Sequence, residues 1–421
     1  MGRHARHLNG TVSGNLSVPP FDHLSPVTGT AARMNLEERI LQRKRRGDRR
    51  QLVLEEASLS PVWHPAEPTG RGPTIERLLD RLEPVFDHRA PENVYVRGPA
   101  GSGKSAVVTA LFSQFARLLS SPEDSIVTTT RGADADMRSF AYVDLREATS
   151  EFEFYHAVLD AVTSESIPQR GLSTSDLRER VSRHLRGGRI LVVAMDHADE
   201  DGTDRLASFA GELESLGHRT SWVAVGRSAP GEVLPDPHAT KTVTVDSYHR
   251  AELTDLLTAR VSTGLTRDAT THQQIRRLAG WAEGDAHDAL AALLGAVDIA
   301  LDEDSDVVED AHLDAGMDSV PRPCVALGRV LALSENRRTV LRRLVALDPE
   351  DRSSVGRAAS VIASSASLSE STITRYLYEF AEVGIVERVP IEGTQSAGRP
   401  PSRVETRVPT RAFLRLTRGD E

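Results

Sequence analysis

Between positions 98 and 105 the chain sets three glycines, a lysine and a hydroxyl at fixed spacing: Gly98-Pro99-Ala100-Gly101-Ser102-Gly103-Lys104-Ser105. Glycines in such a run let successive backbone N–H groups converge on one point, where they can hold phosphate oxygens at the start of a helix. Lys104 would neutralise the β- and γ-phosphates and Ser105 would offer its hydroxyl to Mg²⁺. The pattern GxxxxGK(S/T) therefore predicts a site for ATP or ADP with Mg²⁺. Lys104 is also one of three lysines, with Lys44 and Lys241, in a chain that otherwise uses arginine. A phosphate loop needs a carboxylate from another core strand to hold the metal. Arg189-Ile190-Leu191-Val192-Val193-Ala194-Met195-Asp196 supplies it: Asp196 ends an apolar run, and Asp199 and Glu200 begin the next loop.

The elements around these residues follow from periodicity. Asn93–Arg97 is a short β-rich run before the loop, and Ala106–Phe112 after it has the spacing of a buried helix. Further strands are expected at 140–144, 189–195, 221–226 and 241–245, with helices at 75–84, 104–118, 151–163, 175–185 and 203–216. Alternation of this kind predicts a parallel sheet covered on both faces, an α/β nucleotide-binding domain over 51–247. The stretch 248–320 reads as an all-α unit, and Pro321 and Pro323 separate it from a third unit at 325–421. Residues 1–50 lack periodicity and are expected to be a disordered tail, with Met34 an alternative start. Its cluster Arg43-Lys44-Arg45-Arg46 reads as a solvated helix end or as a nucleic-acid contact.

Composition narrows the class. At 421 residues the chain has room for two or three domains, and its single cysteine, Cys324, excludes internal disulfides and multi-cysteine zinc sites. No apolar run reaches the length of a membrane span, and the N-terminus lacks the apolar core of a secretory signal. A cytoplasmic, nucleoid-associated location is expected, without a membrane partner. The net charge of −10 and the scarcity of lysine fit a halophile's surface or a GC-rich genome.

The third unit reads as helices at 335–347, 355–364 and 369–383, then strands at 384–390 and 403–409, the order of a winged helix. In its third helix Ile373, Leu377 and Phe380 share a face, which is expected to leave Thr372, Arg375, Tyr376 and Glu379 outward for a major groove. From residue 334 onward there are 14 Arg against 12 Asp and Glu, so basic character concentrates in this unit of an acidic chain. Arg399 and Arg403 are the expected wing contacts to double-stranded DNA. Winged helices also serve protein contacts, and that reading stays open.

Further segments carry a resemblance: Val53-Leu54 through Pro68-Thr69-Gly70-Arg71, Pro91-Glu92-Asn93-Val94, Val245-Asp246-Ser247-Tyr248-His249-Arg250 with Arg260, Gly284-Asp285-Ala286-His287, and Gly384-Ile385-Val386 with Gly398-Arg399. Over about residues 48–421 the chain resembles the archaeal Orc/Cdc-type replication initiators, AAA+ ATPases with a helical lid and a C-terminal winged helix, in the form of a divergent haloarchaeal paralogue. The resemblance implies that Arg71, Tyr248, Arg260 and His287 line the nucleotide site, Tyr248 packing on the base and Arg260 acting by charge. It also implies origin-like DNA as partner, with the replicative helicase as a further candidate. Three departures stand out. The glutamate that follows the metal-binding Asp is His197, read as a neutral imidazole; the second-sensor arginine is His287; and the first sensor falls in Gly226-Arg227-Ser228-Ala229, where Ser228 is a weak stand-in. An intact loop beside three altered turnover positions predicts nucleotide binding with weak or absent hydrolysis. The chain is then an initiator-like protein switched by nucleotide, or a degenerate paralogue serving as plasmid initiator or transcriptional regulator.

Overall fold

A computed structural model describes residues 52–119, 138–163, 165–200, 205–234, 236, 238–390 and 402–418. The expected N-terminal tail, its basic cluster, Arg399 and the loop 391–401 lie outside the described residues. From the N-terminal side, a helix α1 (Gly72–Leu82) leads to β1 (Val94–Arg97), and the phosphate loop joins β1 to α2 (Lys104–Leu119). Then come β2 (Arg138–Asp144), α3 (Glu151–Val162), α4 (Thr174–His184), β3 (Ile190–Asp196), α5 (Leu206–Ser215), β4 (Thr220–Gly226), α6 (Pro230–Val233) and β5 (Lys241–Thr244).

The five strands form one parallel sheet in the order β2-β3-β4-β1-β5. Every residue of β3 is buried, as an unbroken apolar run in the middle of a two-sided sheet requires. One face packs Phe112 and Phe115 on Phe140, and the other stacks Phe154 on Phe209 at 4.5 Å between ring centroids. Burying each such side chain contributes about 1.5–3 kcal/mol. Local signals start the covering helices: Ser150 accepts the Glu153 N–H ahead of α3, and Ser173 with Asp176 forms a capping box on α4. With β4 seated between β3 and β1, the ends of all three strands meet at one edge, where Asp196, the phosphate loop and the Gly226–Ser228 turn converge.

Four helices follow: α7 (Arg250–Gly264), α8 (His272–Trp281), α9 (Ala286–Asp302) and α10 (Asp310–Asp318). Beyond them lie α11 (Leu327–Leu331), α12 (Glu335–Ala346), α13 (Val355–Ser365), α14 (Glu370–Glu382), the antiparallel pair β6 (Val386–Pro390) and β7 (Ser402–Thr406), and α15 (Thr410–Leu416). Three helices and a hairpin thus appear in the expected order, joined by α11 and α15, which periodicity did not predict. The lid helices and this C-terminal unit share one continuous apolar core, from Leu253 and Leu290 through Leu341 and Phe380 to Phe413. Ion pairs tie the C-terminal segment to α9 and to the residues before α1: Arg418 reaches buried Asp298 at 2.9 Å, Arg411 reaches Asp302 at 2.9 Å, and Arg415 grips Glu56 through two hydrogen bonds. Among the described residues no helix is long and apolar enough to cross a membrane.

Candidate nucleotide site

Gly101 and Gly103 have φ of +61° and +78°, the left-handed region that L side chains rarely adopt. A Cβ at Gly103 would also stand 2.6 Å from the Tyr248 hydroxyl, so the loop's glycines serve both its turns and the approach of the lid. Lys104, at the first position of α2, is buried. Its ammonium donates to the carbonyls of Gly98 (2.8 Å) and Pro99 (2.6 Å), and it forms no ion pair among the described residues. Burial pushes its pKa down to about 8. A buried cation satisfied by two carbonyls and, at 3.4 Å, the Ser102 hydroxyl fits a phosphate group, which would supply the missing counter-charge.

Asp196 is buried at the end of β3 and surrounded by donors. Tyr142 of β2 donates its hydroxyl to Oδ2 at 2.6 Å, the His197 N–H donates to Oδ1 at 2.7 Å, and Ser105 makes a further side-chain hydrogen bond. Burial would raise the carboxyl's pKa, but the charge of His197 and these bonds outweigh it and hold Asp196 below the ordinary carboxylate value. An ionised carboxylate bonded to the loop serine is a donor set that suits Mg²⁺, which Ser105 and Asp196 would hold. Tyr142 escaped sequence reading because its tyrosine sits in an apolar strand and looks like core.

His197 differs from expectation. It adopts φ +60° and lies among three carboxylates: its Nδ1 is 3.1 Å from Glu200, and its Nε2 is 3.7 Å from Asp196 and 4.0 Å from Asp144. Burial opposes protonation, yet the charge of Asp196 and the Glu200 hydrogen bond prevail and push its pKa above the ordinary histidine value. The neutral imidazole expected there is corrected to a ring whose protonated form the surroundings favour. Arg146 completes the cluster in a bidentate pair with Asp144. The two charges two residues apart at the end of β2, Asp144-Leu145-Arg146, were its sequence signal.

The lid closes over this edge. Ala286, first residue of α9, donates its N–H to the Gly101 carbonyl at 3.1 Å, and a Cβ on Gly101 would overlap the Asp285 carboxylate. Arg71 spans the cleft, donating to the carbonyls of Ser102 (2.9 Å) and Asp246 (3.0 Å) with its guanidinium 3.5 Å from the Tyr248 ring centroid. The face of Tyr248 expected to meet a base is stacked on Arg71 instead, because cation–π contact and two carbonyl bonds satisfy both groups at once. Arg260, expected to act on nucleotide by charge, is buried and donates to the carbonyls of Ser58 and Trp63, both at 3.0 Å, so it anchors the segment before α1.

His287 requires a correction as well. Its Nε2 accepts the Leu327 N–H at 2.9 Å and its Nδ1 faces Asp288 at 3.2 Å. The side chain thus turns from the phosphate loop toward α11, because the Leu327 N–H at that helix start is buried and needs an acceptor. Arg146 approaches α11 from the other side: a Cβ on Gly328 would sit 2.5 Å from its guanidinium. At the C-terminal unit, Ile373, Leu377 and Phe380 of α14 are buried as expected, but Tyr376 is only 8 % exposed and packs inward. Arg375 is exposed, 3.6 Å from Glu379, which also binds Arg337. Thr372 shares its hydroxyl with Ser369, the N-cap, and Arg403 pairs with Glu405 at 2.6 Å.

A parallel sheet, a glycine loop at a helix start, an acidic strand end and a helical lid define a P-loop nucleotide-binding fold of the AAA+ class. Residues 67–223 match the family model described as "AAA ATPase domain". The chain is 24% identical over 364 residues to ORC1-type DNA replication protein 6 of Halobacterium salinarum, covering 82% of this chain and 88% of that one. It is 24% identical over 303 residues to ORC1-type DNA replication protein 10 of the same organism, covering 68% and 70%. The fold is similar to that of the Aeropyrum pernix ORC1 protein, solved in complex with DNA, at a TM-score of 0.57 and 20% identity over 87% of this chain and 97% of that one. The chain is thus similar to archaeal ORC1-type replication proteins and carries an AAA ATPase domain over residues 67–223.

Proposed function

We propose that this protein is a nucleotide-switched, DNA-binding protein of the archaeal Orc/Cdc initiator type, in which ATP or ADP with Mg²⁺ at the loop 98–105 sets the placement of the C-terminal unit. One observation carries the switch: both sides of the nucleotide site connect to the same short helix, one through α9 and the other through Arg146. The phosphate loop bonds α9 through Gly101 and Ala286, and α9 bonds α11 through His287 and Leu327. Asp144, paired in register with Asp196, holds the Arg146 that abuts Gly328 of α11. A nucleotide that displaces either contact shifts α11, and the helices and hairpin behind it follow.

DNA binding is supported by the relatives' replication names, by the DNA in the Aeropyrum complex and by the basic C-terminal unit. Arg375 on α14 and Arg403 on β7 are the exposed candidates among the described residues. A second reading, a paralogue that regulates rather than hydrolyses, is favoured by the placement of His197 and His287 away from the roles that turnover needs. A salt series on origin and scrambled duplexes tests the DNA assignment. Arg403→Ala is expected to flatten the plot of log affinity against log salt by about one unit on both duplexes, and Arg375→Ala to relax sequence preference by ~1–3 kcal/mol. Variants that match wild type at every salt would remove the assignment and favour protein contact.

A further inference from the structure

Three side chains of the kinds that bind zinc meet where the lid joins the C-terminal unit. His287 and Asp288 stand in the first turn of α9, and Cys324 lies on the segment that leads into α11. One ligand atom of each lies within 4.8 Å of the other two, and all three side chains are partly buried. His287 Nδ1 and Asp288 Oδ1 are 3.2 Å apart. A tetrahedral ion about 2.0 Å from a nitrogen and from an oxygen sets those two atoms roughly 3.3 Å apart.

The backbone on both sides of the cluster is held in place. Asp285, the N-cap of α9, accepts the Asp288 N–H at 3.0 Å, and Ala286 is bonded to the phosphate loop. Across from them, the Val325 N–H donates to the Arg407 carbonyl at 2.7 Å and the Leu327 N–H to His287 Nε2 at 2.9 Å. The nearby cation, Arg322, is engaged elsewhere: its guanidinium donates to the Trp281 carbonyl, stacks 4.3 Å from the Trp281 ring centroid and pairs with Glu283. Among the described residues the ion-pair partner of Asp288 is the His287 ring. Burial and the charges of Asp288 and Asp285 push the Cys324 thiol well above its ordinary pKa, and a dication would offset that same negative charge.

We infer that His287, Asp288 and Cys324 form a binding site for a divalent cation of the zinc class, separate from the Mg²⁺ proposed at Ser105 and Asp196. Imidazole together with thiolate selects Zn²⁺ and its analogues over Mg²⁺, which prefers oxygen ligands alone. Three protein ligands leave a fourth position to water. On binding, the thiol gives its proton to solvent. The ion takes the place of the proton on His287 Nδ1, that proton moves to Nε2, and the Leu327 N–H gives up its acceptor. Loading therefore exchanges the hydrogen bond between α9 and α11 for a metal bridge from α9 to Cys324, just ahead of α11. The site stands on its own ligands and does not depend on the nucleotide reading.

Titration of the full chain, free of metal and nucleotide, with Co²⁺ and then with competing Zn²⁺ tests it. Cys324 is the chain's single cysteine, so a thiolate-to-cobalt charge-transfer band can arise nowhere else. Wild type is expected to develop this band at stoichiometric Co²⁺ and to lose it to Zn²⁺. Cys324→Ser is expected to abolish the band and to lower Zn²⁺ affinity, read by calorimetry, about a hundredfold or more, with Asp288→Asn and His287→Gln each costing about tenfold or more. His287→Gln keeps an acceptor for the Leu327 N–H, so its effect on the ion is not a loss of the fold. No band from wild type in excess Co²⁺ would overturn the site. A band of wild-type intensity and affinity in both Asp288→Asn and His287→Gln would overturn it as well, leaving cobalt on Cys324 without the cluster.

Discussion

The phosphate loop and the turnover side of the same site match the pattern expected from the sequence to different degrees. The loop keeps its whole pattern from Gly98 to Ser105, and its geometry is largely backbone: positive φ at Gly101 and Gly103, with a lysine at the helix start. The turnover side is assembled from single side chains on separate elements, His197 after β3, the turn after β4, and His287 on α9. A backbone cradle fails as a unit when a glycine is lost, whereas isolated side chains can be replaced one at a time without disturbing the fold. On the proposed reading, binding and hydrolysis would therefore be separable, and changes on the turnover side would fall where the fold tolerates them.

The largest effect is expected at the intact half. Lys104→Ala removes the buried ammonium bonded to the Gly98 and Pro99 carbonyls, and nucleotide affinity should fall about a hundredfold or more, since several charge-assisted bonds are lost together. Titration with a fluorescent nucleotide measures this. Unchanged affinity would mean that the comparison has no binding half at all.

How far each half was legible in the sequence follows from the same division. The loop, β3 and Asp196 could be read because their residues are contiguous and an apolar run has few alternatives to a buried strand. The lid residues could not be placed, because the direction of Tyr248, Arg260 and His287 depends on where α7 and α9 dock, and each found a partner remote in sequence: Arg71, Ser58 and Leu327. On α14 the pattern itself held the correction. Positions 373, 376, 377 and 380 are spaced i, i+3, i+4, i+7, so Tyr376 belongs with the buried face. The short α11 and α15 offer too few turns for periodicity to register, although α11 meets both His287 of the lid and Arg146 of the acidic cluster.

A second prediction probes the altered half. His197→Glu alone would add a fourth carboxylate beside Asp144, Asp196 and Glu200, and like charges at that spacing raise one another's pKa and disfavour the ionised base. Pairing it with Glu200→Gln removes one negative charge and the partner that now holds the imidazole. The double variant is expected to hydrolyse ATP about tenfold faster than wild type, with the single variant gaining less. Phosphate release under saturating nucleotide reads both. Brisk wild-type hydrolysis, unaffected by either change, would show that the turnover side is not impaired and would erase the contrast.

The smallest effect is expected at the lid. Restoring an arginine by His287→Arg looks like the counterpart of restoring the glutamate, but the two positions are not equivalent. His287 Nε2 accepts the Leu327 N–H, so the neutral ring carries its proton on Nδ1, toward Asp288. Arginine has no acceptor to offer, and the buried Leu327 N–H would lose its partner. An unsatisfied buried donor costs about 1–3 kcal/mol, partly recovered if the new guanidinium pairs with Asp288. His287→Arg is therefore expected to lower the melting temperature by a few degrees and to leave ATP turnover unchanged. His287→Gln, whose carbonyl can accept the same N–H, is expected to lose less stability. Thermal melts of both variants beside phosphate release decide the matter. A gain in turnover with no loss of stability would mean that residue 287 reaches the phosphates, and that its bond to α11 is not what holds it away.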